Sequence, residues 1–309
     1  MADRWIDPTE QPKEQAKTLP SVFIVGAGVV GTALAASMAR AGIQVNGLHG
    51  RQAAQPEGAP RLPPSVATSS GEIPSILSQS DVVVIAVRDE RVPEMAERLI
   101  RERRLGSHQV VFHNSGANSA QSILAPVIPH VRAVGTFHPL VSFADPRSAS
   151  EQFAEIAFAI EGDEHARAIG RQIAAALGAR SMVIEPHDMA LYHAGAVIAA
   201  NYLVALADVA RQLFVGAGVA PEEALPALIP LLQSTVRALA AGGSPGMLRG
   251  PVEWANVAST EERLALMKAR APEALPVYRL LGRHVLGLAR QSAALDPDVA
   301  SRLAELFGD

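Results

Sequence analysis

Residues 21–42 read SVFIVGAGVVGTALAASMARAG. Val22, Phe23, Ile24 and Val25 form a short unbroken apolar run, the pattern of a strand buried on both faces of a parallel sheet. Gly26, Gly28 and Gly31 follow with the spacing G-x-G-x-x-G, and Thr32–Ala41 then reads as a small-residue helix stopped at Gly42. In a dinucleotide-binding turn the first glycine allows the tight exit from the strand. The second lets backbone approach a pyrophosphate, and the third lets helix and sheet pack closely. The helix N-terminus adds unpaired N–H groups and a partial positive charge for the phosphates. The glycine spacing alone is weak, and a merely glycine-rich turn is the alternative. Strand before and helix after favour a nucleotide site that uses Gly26, Ala27, Gly28, Val29, Val30 and Gly31.

The next strand, IQVNGL at 43–48, leads into His49, Gly50, Arg51 and Gln52. Enzymes that prefer NAD usually place a carboxylate here for the ribose hydroxyls. A guanidinium instead pairs with a 2′-phosphate, so Arg51 is expected to select NADPH, the alternative being a surface arginine. Residues 81–87, DVVVIAV, predict another buried strand, and its carboxyl-end turn Ala86–Val87–Arg88 should border the cofactor, with Asp89 next in sequence. Pro93 suits the first turn of the following helix. Strands at 109–112 and 131–137 open into His113, Asn114, Ser115, Gly116 and into His138, Pro139, on the edge where nicotinamide and substrate should sit. Each of these residues has a plainer reading as a turn or cap, Ser115 in particular. Strand, helix and strand at 153–160, 164–177 and 181–184 extend the sheet, and the first domain is expected to end near Pro186.

The 309 residues suffice for two domains. Hydrophobic residues make up 49% and aromatics 4%, so the core must be mostly Ala, Val, Leu and Ile. A net charge of −4 argues against nucleic acid as the main partner, and the arginines at 98, 101, 103 and 104 read as a solvated helix end. With no cysteine there is no disulfide, thiolate chemistry or cysteine metal site, which suits a cytoplasmic protein. No metal-ligand cluster and no G-x-S-x-G elbow is found. Residues 1–20 are polar, carry mixed charge and lack an apolar signal core, so a flexible arm is expected.

From His187 to the end the pattern is helical. The stretch 187–215 reads as one long helix, apolar nearly all round and therefore buried in its domain or against a second subunit. His193, Asn201 and Asp208 interrupt its apolar run, which favours a core helix over a membrane span. These three, with Arg211 and Gln212, fall within an arc of about 100°, and His193 and Asn201 are roughly 12 Å apart along the axis. The seam is either satisfied internally or, at its His193–Asn201 end, turned to the nicotinamide. Pro226 and Pro230 should break or kink the next helix. Ser259 with Glu262 predicts a capping box, and Arg249 is a candidate carboxylate binder. His284, on an apolar helix, reads as packing.

VFIVGAGVVGTALA, DVVVIAVRD, HNSG, GTFHPLVSFAD, LYHAGAVIAANYLVAL, RGPVEWAN and YRLLGRHVLGLA together resemble the bacterial Rossmann-like proteins that carry the domain of unknown function 2520. The likeness spans Ser21 to Gln291. More distantly the layout is similar to pyrroline-5-carboxylate reductase, ketopantoate reductase and 3-hydroxyisobutyrate dehydrogenase. The resemblance implies a Rossmann-type doubly wound parallel sheet (21–186) followed by an all-α domain (187–309), with dimerisation through the latter. The hydroxyacid dehydrogenases and ketopantoate reductases place a catalytic lysine on the long helix. Here no lysine lies between Lys17 and Lys268, and His193 is the nearest substitute.

The expected activity is NADPH-dependent reduction of a small carbonyl or imine, a carboxylate-bearing 2-oxo acid or a cyclic imine. His193 would be the first proton donor and His138 the second, with Asn201 and Ser115 positioning the substrate. The expected partners are a small-molecule substrate and a second copy of the chain, with neither nucleic acid nor membrane. A catalytically inactive NAD(P)-binding sensor is the rival, kept open by the missing lysine. The oxidative direction of the same chemistry is a further alternative.

Overall fold

The computed structural model describes residues 5–6, 18–52, 60–142, 152–241, 256–291 and 295–308. Arg249 and the FAD of residues 143–145 lie outside them. The described chain forms two compact units, Met1–Ile198 and Ala199–Asp309.

The first unit is built on β2 (Val22–Val25), β3 (Val45–Gly50), β4 (Thr68–Ser70), β5 (Val82–Ile85), β6 (Val110–His113), β7 (Ala133–Pro139), β8 (Ala157–Gly162) and β9 (Arg180–Val183). Their spatial order is 9-8-7-6-5-2-3-4, a mostly parallel sheet of Rossmann type. Strand β8 runs antiparallel to β7, the one departure from a parallel sheet among these eight. In the segment expected to be a flexible arm, the two-residue β1 (Trp5–Ile6) pairs antiparallel with β9 and makes a ninth, edge strand.

Alternation sends successive residues of each strand to opposite faces. Val22 and Ile24 join α1 (Val29–Arg40) and α4 (Glu164–Ala176) in one core, where Phe137 stacks on Phe158 at 4.2 Å between ring centroids. Phe23 and Val25 face the other core with α2 (Val92–Arg101) and α3 (Ala120–Ile123). Strand order reverses at β2, with β3 on one side and β5 on the other, so the crevice for a ligand opens beyond their carboxyl ends. Strand β3 runs two residues further than the sequence suggested, which puts His49 and Gly50 inside the sheet.

The first unit ends with α5 (Met189–Val197); a π-turn, Ile198–Tyr202, then leads into α6 (Leu203–Gly216) of the second. The expectation of a buried helix over 187–215 is overturned within this chain. Leu191 is 74% exposed in the first unit and Val204 72% in the second. The run Pro186–Gly216 is long and apolar enough to cross a membrane by length and composition alone.

In the second unit α6 packs on α7 (Pro221–Ala240), which runs unbroken through Pro226 and Pro230. Helices α8 (Val257–Arg270), α9 (Leu275–Gln291) and α10 (Pro297–Phe307) complete the unit around Leu286, Ala300, Leu303 and Phe307. Helix α9 meets Phe307 at Gly282, where a Cβ would come within 2.4 Å of the ring. The predicted capping box is replaced by Asn256, whose side chain accepts from the Ser259 N–H, so α8 starts two residues before Ser259. At the far end of the helical seam, Asp208 accepts hydrogen bonds from Arg211 and Gln212, the internally satisfied reading.

Candidate functional site

The glycine turn is shaped by contacts that exclude side chains. Gly26 has φ +125°, and a Cβ there would lie 2.2 Å from the Ala86 carbonyl oxygen. A Cβ on Gly31 would lie 1.8 Å from the Gly26 carbonyl oxygen. Gly28 is the opposite case: a Cβ would meet nothing within 4 Å, because this glycine faces open space. It is also the N-cap of α1, and no side chain caps that helix. The first-turn amides are therefore left for an anionic ligand, with the helix dipole behind them.

This turn forms one wall of a cavity of about 1330 Å³. Gly26, Ala27, Gly28, Val29 and Val30 line it, as do Arg51 and the Ala86–Val87–Arg88 turn, while Gly31 stands behind as the packing glycine. Arg51 is exposed at the end of β3. Arg98 also lines the cavity, a residue that the sequence suggested only as part of a solvated helix end. Its guanidinium is held by Glu102 at 2.6 Å and by the Gly71 carbonyl at 2.7 Å. Beside it His49 is buried, 3.0 Å from the Ser69 hydroxyl, and burial and Arg98 together push its pKa down. Volume, open glycine and terminal arginine fit a phosphorylated dinucleotide.

At the other end of the cavity lie Asn114, His138 and Asp89. His138, the penultimate residue of β7, is half-buried, with its Nδ1 2.8 Å from the Tyr192 hydroxyl. The ring of His193 lies 6.2 Å from that of His138 between centroids, so both histidines named from sequence meet here. Gly116 permits this: a Cβ on it would stand 2.8 Å from His193 and 2.9 Å from His138. Burial, with His193 adding to it, lowers the His138 pKa to about 4, and the opposing pull of Asp89 does not restore it. Ser115 is buried, and its hydroxyl donates to Asp89 Oδ2 at 2.5 Å while accepting from Asn118 Nδ2 at 2.9 Å. Asn201 is exposed in the second unit.

Behind these residues runs a polar row. His113, Thr136 and Glu161 are register neighbours across β6, β7 and β8, and all three are fully buried. The Ser115 N–H donates to His113 Nδ1, which makes that nitrogen the acceptor and puts the ring proton on Nε2. Nε2–H then donates to Thr136 Oγ1 at 3.0 Å, and Thr136 donates to Glu161 Oε2 at 2.8 Å. The same carboxylate oxygen accepts the Ala120 N–H, the first residue of α3. Burial, aided by His138, lowers the His113 pKa to about 3, consistent with a neutral ring.

Residues 7–139 match the Rossmann-like domain and residues 156–285 match the domain of unknown function 2520. The chain joins a Rossmann-like domain to a domain of unknown function 2520. Among solved structures it is similar to protein TM1727 of Thermotoga maritima, at 21% identity and TM-score 0.66, over 88% of this chain and 99% of that one. It is also similar to BF3122 of Bacteroides fragilis, provisionally named an NADP oxidoreductase, at 18% and 0.62, over 86% and 97%. A third is Plasmodium falciparum pyrroline carboxylate reductase with NADP bound, at 12% and 0.51, over 94% and 98%. At these identities the likeness speaks for the fold, which is shared with NAD(P)-dependent oxidoreductases. No curated protein matches the chain in sequence.

The match to domain 2520 begins within the sheet, so β8, α4 and β9 fall in it together with α5. The cavity thus borrows His138 from the Rossmann-like match, and the Tyr192 that holds it comes from the 2520 match. Tyr192 and Asp89, like Arg98, are residues that sequence reasoning did not assign to the site. One signal was available for Tyr192: a tyrosine on an apolar helix needs a hydrogen-bond partner for its hydroxyl when buried.

Proposed function

We propose that the chain is an NADPH-dependent oxidoreductase that reduces a small carbonyl or imine, a carboxylate-bearing 2-oxo acid or cyclic imine. The observation that carries the reading is one cavity in which an uncapped glycine-turn helix and Arg51 stand at one end and His138 at the other. When bound, the nicotinamide supplies the hydride. Amides of Gly28, Val29 and Val30 hold its pyrophosphate, Arg51 pairs with the 2′-phosphate, and Ala86–Val87–Arg88 flank it. His138, with His193 beside it, supplies the proton. Ser115 acts from behind the wall, through Asp89 and Asn118. A second copy of the chain is proposed to cover the exposed apolar residues of α6 and α7.

Titration with NADPH and NADH tests this, with Arg51→Ala alongside. A charge-assisted contact to the 2′-phosphate is worth about 1.5–3 kcal/mol, so NADPH affinity should fall roughly ten- to a hundredfold while NADH affinity holds. NADPH oxidation by a panel of 2-oxo acids and cyclic imines then identifies turnover. Binding without turnover on any of them would favour the sensor reading, and no binding of either nucleotide would end both.

A further inference from the structure

We propose that Tyr192 is a positioning residue that fixes His138 in its Nε2–H tautomer and, through Nδ1, lets this neutral histidine act as a proton donor. The role in proton transfer rests on the reductase reading above; the tautomer itself does not.

The two groups are 2.8 Å apart, and their rings meet edge to face, at 84° with 5.7 Å between centroids. A hydrogen bond between a phenol and an imidazole nitrogen has two proton arrangements. Either Tyr192 donates to an unprotonated Nδ1, or an Nδ1–H donates to the phenol oxygen. One observation, the lack of another acceptor among the described residues, selects the first, and two more are compatible with it. Burial raises the pKa of Tyr192, so its hydroxyl keeps a proton to give. Among the described residues His138 is the one hydrogen-bond partner of that hydroxyl, so the reverse arrangement would leave a half-buried O–H with no acceptor. Finally, Tyr192 is anchored: its ring packs with Ala159, Ile184 and Met189 on the β8–β9 end of the sheet, which holds the hydroxyl in place.

With Nδ1 accepting, Nε2 carries the proton. That edge of the ring abuts Gly116, where a Cβ would crowd Nε2 at 2.9 Å, so a side chain is excluded there. The charged and titratable groups facing His138 are His193 and Asp89, with Tyr192 on its far side and His113 behind. With a pKa near 4 the ring holds a single proton at neutral pH. An imidazole that gave up that proton unaided would become an imidazolate, which is strongly disfavoured. A proton relayed from Tyr192 to Nδ1 avoids the imidazolate and leaves the charge on the phenol oxygen, which burial disfavours and solvent must then neutralise. As hydride reaches the substrate carbon and the C=O π bond breaks, Nε2–H breaks and the product O–H forms. In the same step Nδ1–H forms and the Tyr192 O–H breaks, and water then reprotonates the phenolate.

The test is nitrogen-15 NMR of the histidine rings in the full-length protein at neutral pH, with His138→Gln used to assign the His138 signals. The expected result is an unprotonated Nδ1 and a protonated Nε2, lost to a mixture of tautomers in Tyr192→Phe. A protonated Nδ1, or a tautomer that Tyr192→Phe leaves unchanged, overturns the proposal. Neither readout needs substrate or cofactor, so both stand if the reductase reading fails. On a substrate that is turned over, Tyr192→Phe should lower kcat roughly tenfold or more while NADPH affinity, which also reports intact folding, is unchanged. An unchanged kcat would overturn the proton-transfer role and leave only the tautomer.

Discussion

Two stretches of this chain are equally apolar and meet opposite fates. In 21–42, Leu34 and Met38 of α1 are fully buried, because the helix lies on the sheet that its own strand helps to form. In 189–216, Met189 is buried on the sheet, but Leu191 and Val204 are 74% and 72% exposed. Apolar composition says that a surface needs cover. Only topology says what covers it: βαβ winding returns α1 to its sheet, and no comparable rule governs a long helix after the last strand. The long-helix reading therefore had the right element and the wrong surroundings within one chain.

The largest expected effect breaks the buried side of that comparison. Gly31→Ala would put a Cβ 1.8 Å from the Gly26 carbonyl oxygen, a backbone atom that cannot swing away. Helix and strand must separate, at a cost of about 3 kcal/mol or more, and nucleotide binding should go with them. Gly28→Ala is the matched control, since its Cβ meets nothing in the protein. It should leave the urea midpoint in place while weakening NADPH binding, because the methyl would occupy the open space proposed for the pyrophosphate. Equal losses of stability in the two variants would mean that the two glycines do not divide packing and binding between them.

The glycine turn was legible because its spacing, with a strand before and a helix after, lies within one short stretch, although the Ala86 carbonyl that closes on Gly26 comes from the distant end of β5. So were the apolar strands, and so were His138 and Ser115, which end or follow such strands. The cluster behind them was not. His113, Thr136 and Glu161 lie 23 and 25 residues apart in sequence and become neighbours only through the register of β6, β7 and β8. Glu161 lies just past the strand reading of 153–160, and an isolated glutamate there carries no sign that it will be buried. The place of Ser115 beyond a strand end is legible and points to a substrate contact, whereas the Asp89 and Asn118 bonds that turn it inward are not legible.

That buried row makes a prediction of intermediate size. The His113 pKa is about 3 in the folded chain against an unfolded value near 6.5. Between these values the unfolded chain binds the extra proton, so the contribution of His113 is complete above about pH 6.5 and is lost as the pH falls. The slope is at most about 1.4 kcal/mol per pH unit, with His138 adding to it down to about pH 4. Urea unfolding at pH 7.5, 6 and 5 should show stability falling with acid, and less steeply in His113→Asn. Parallel slopes for the two proteins would show that His113 protonates as readily folded as unfolded.

The smallest expected effect on stability falls on the exposed side of the comparison, where it separates folding from assembly. Val204 projects from α6 beside other uncovered apolar residues of the same unit, with Leu231 and Leu239 of α7 60% and 59% exposed. Isolated exposed leucines are ordinary, but several on one packed helix pair make a surface that a second copy would dry. If that is its purpose, the wild-type chain should sediment at twice its 32.5 kDa mass. Val204→Glu should shift it toward the monomer, because a carboxylate buried in an apolar interface has no partner. In the monomer the same substitution faces water and should change the unfolding free energy by no more than about 0.5 kcal/mol. A wild-type chain that sediments as a monomer at micromolar concentration would remove the second copy as the cover, and the apolar faces of α6 and α7 would then need another explanation.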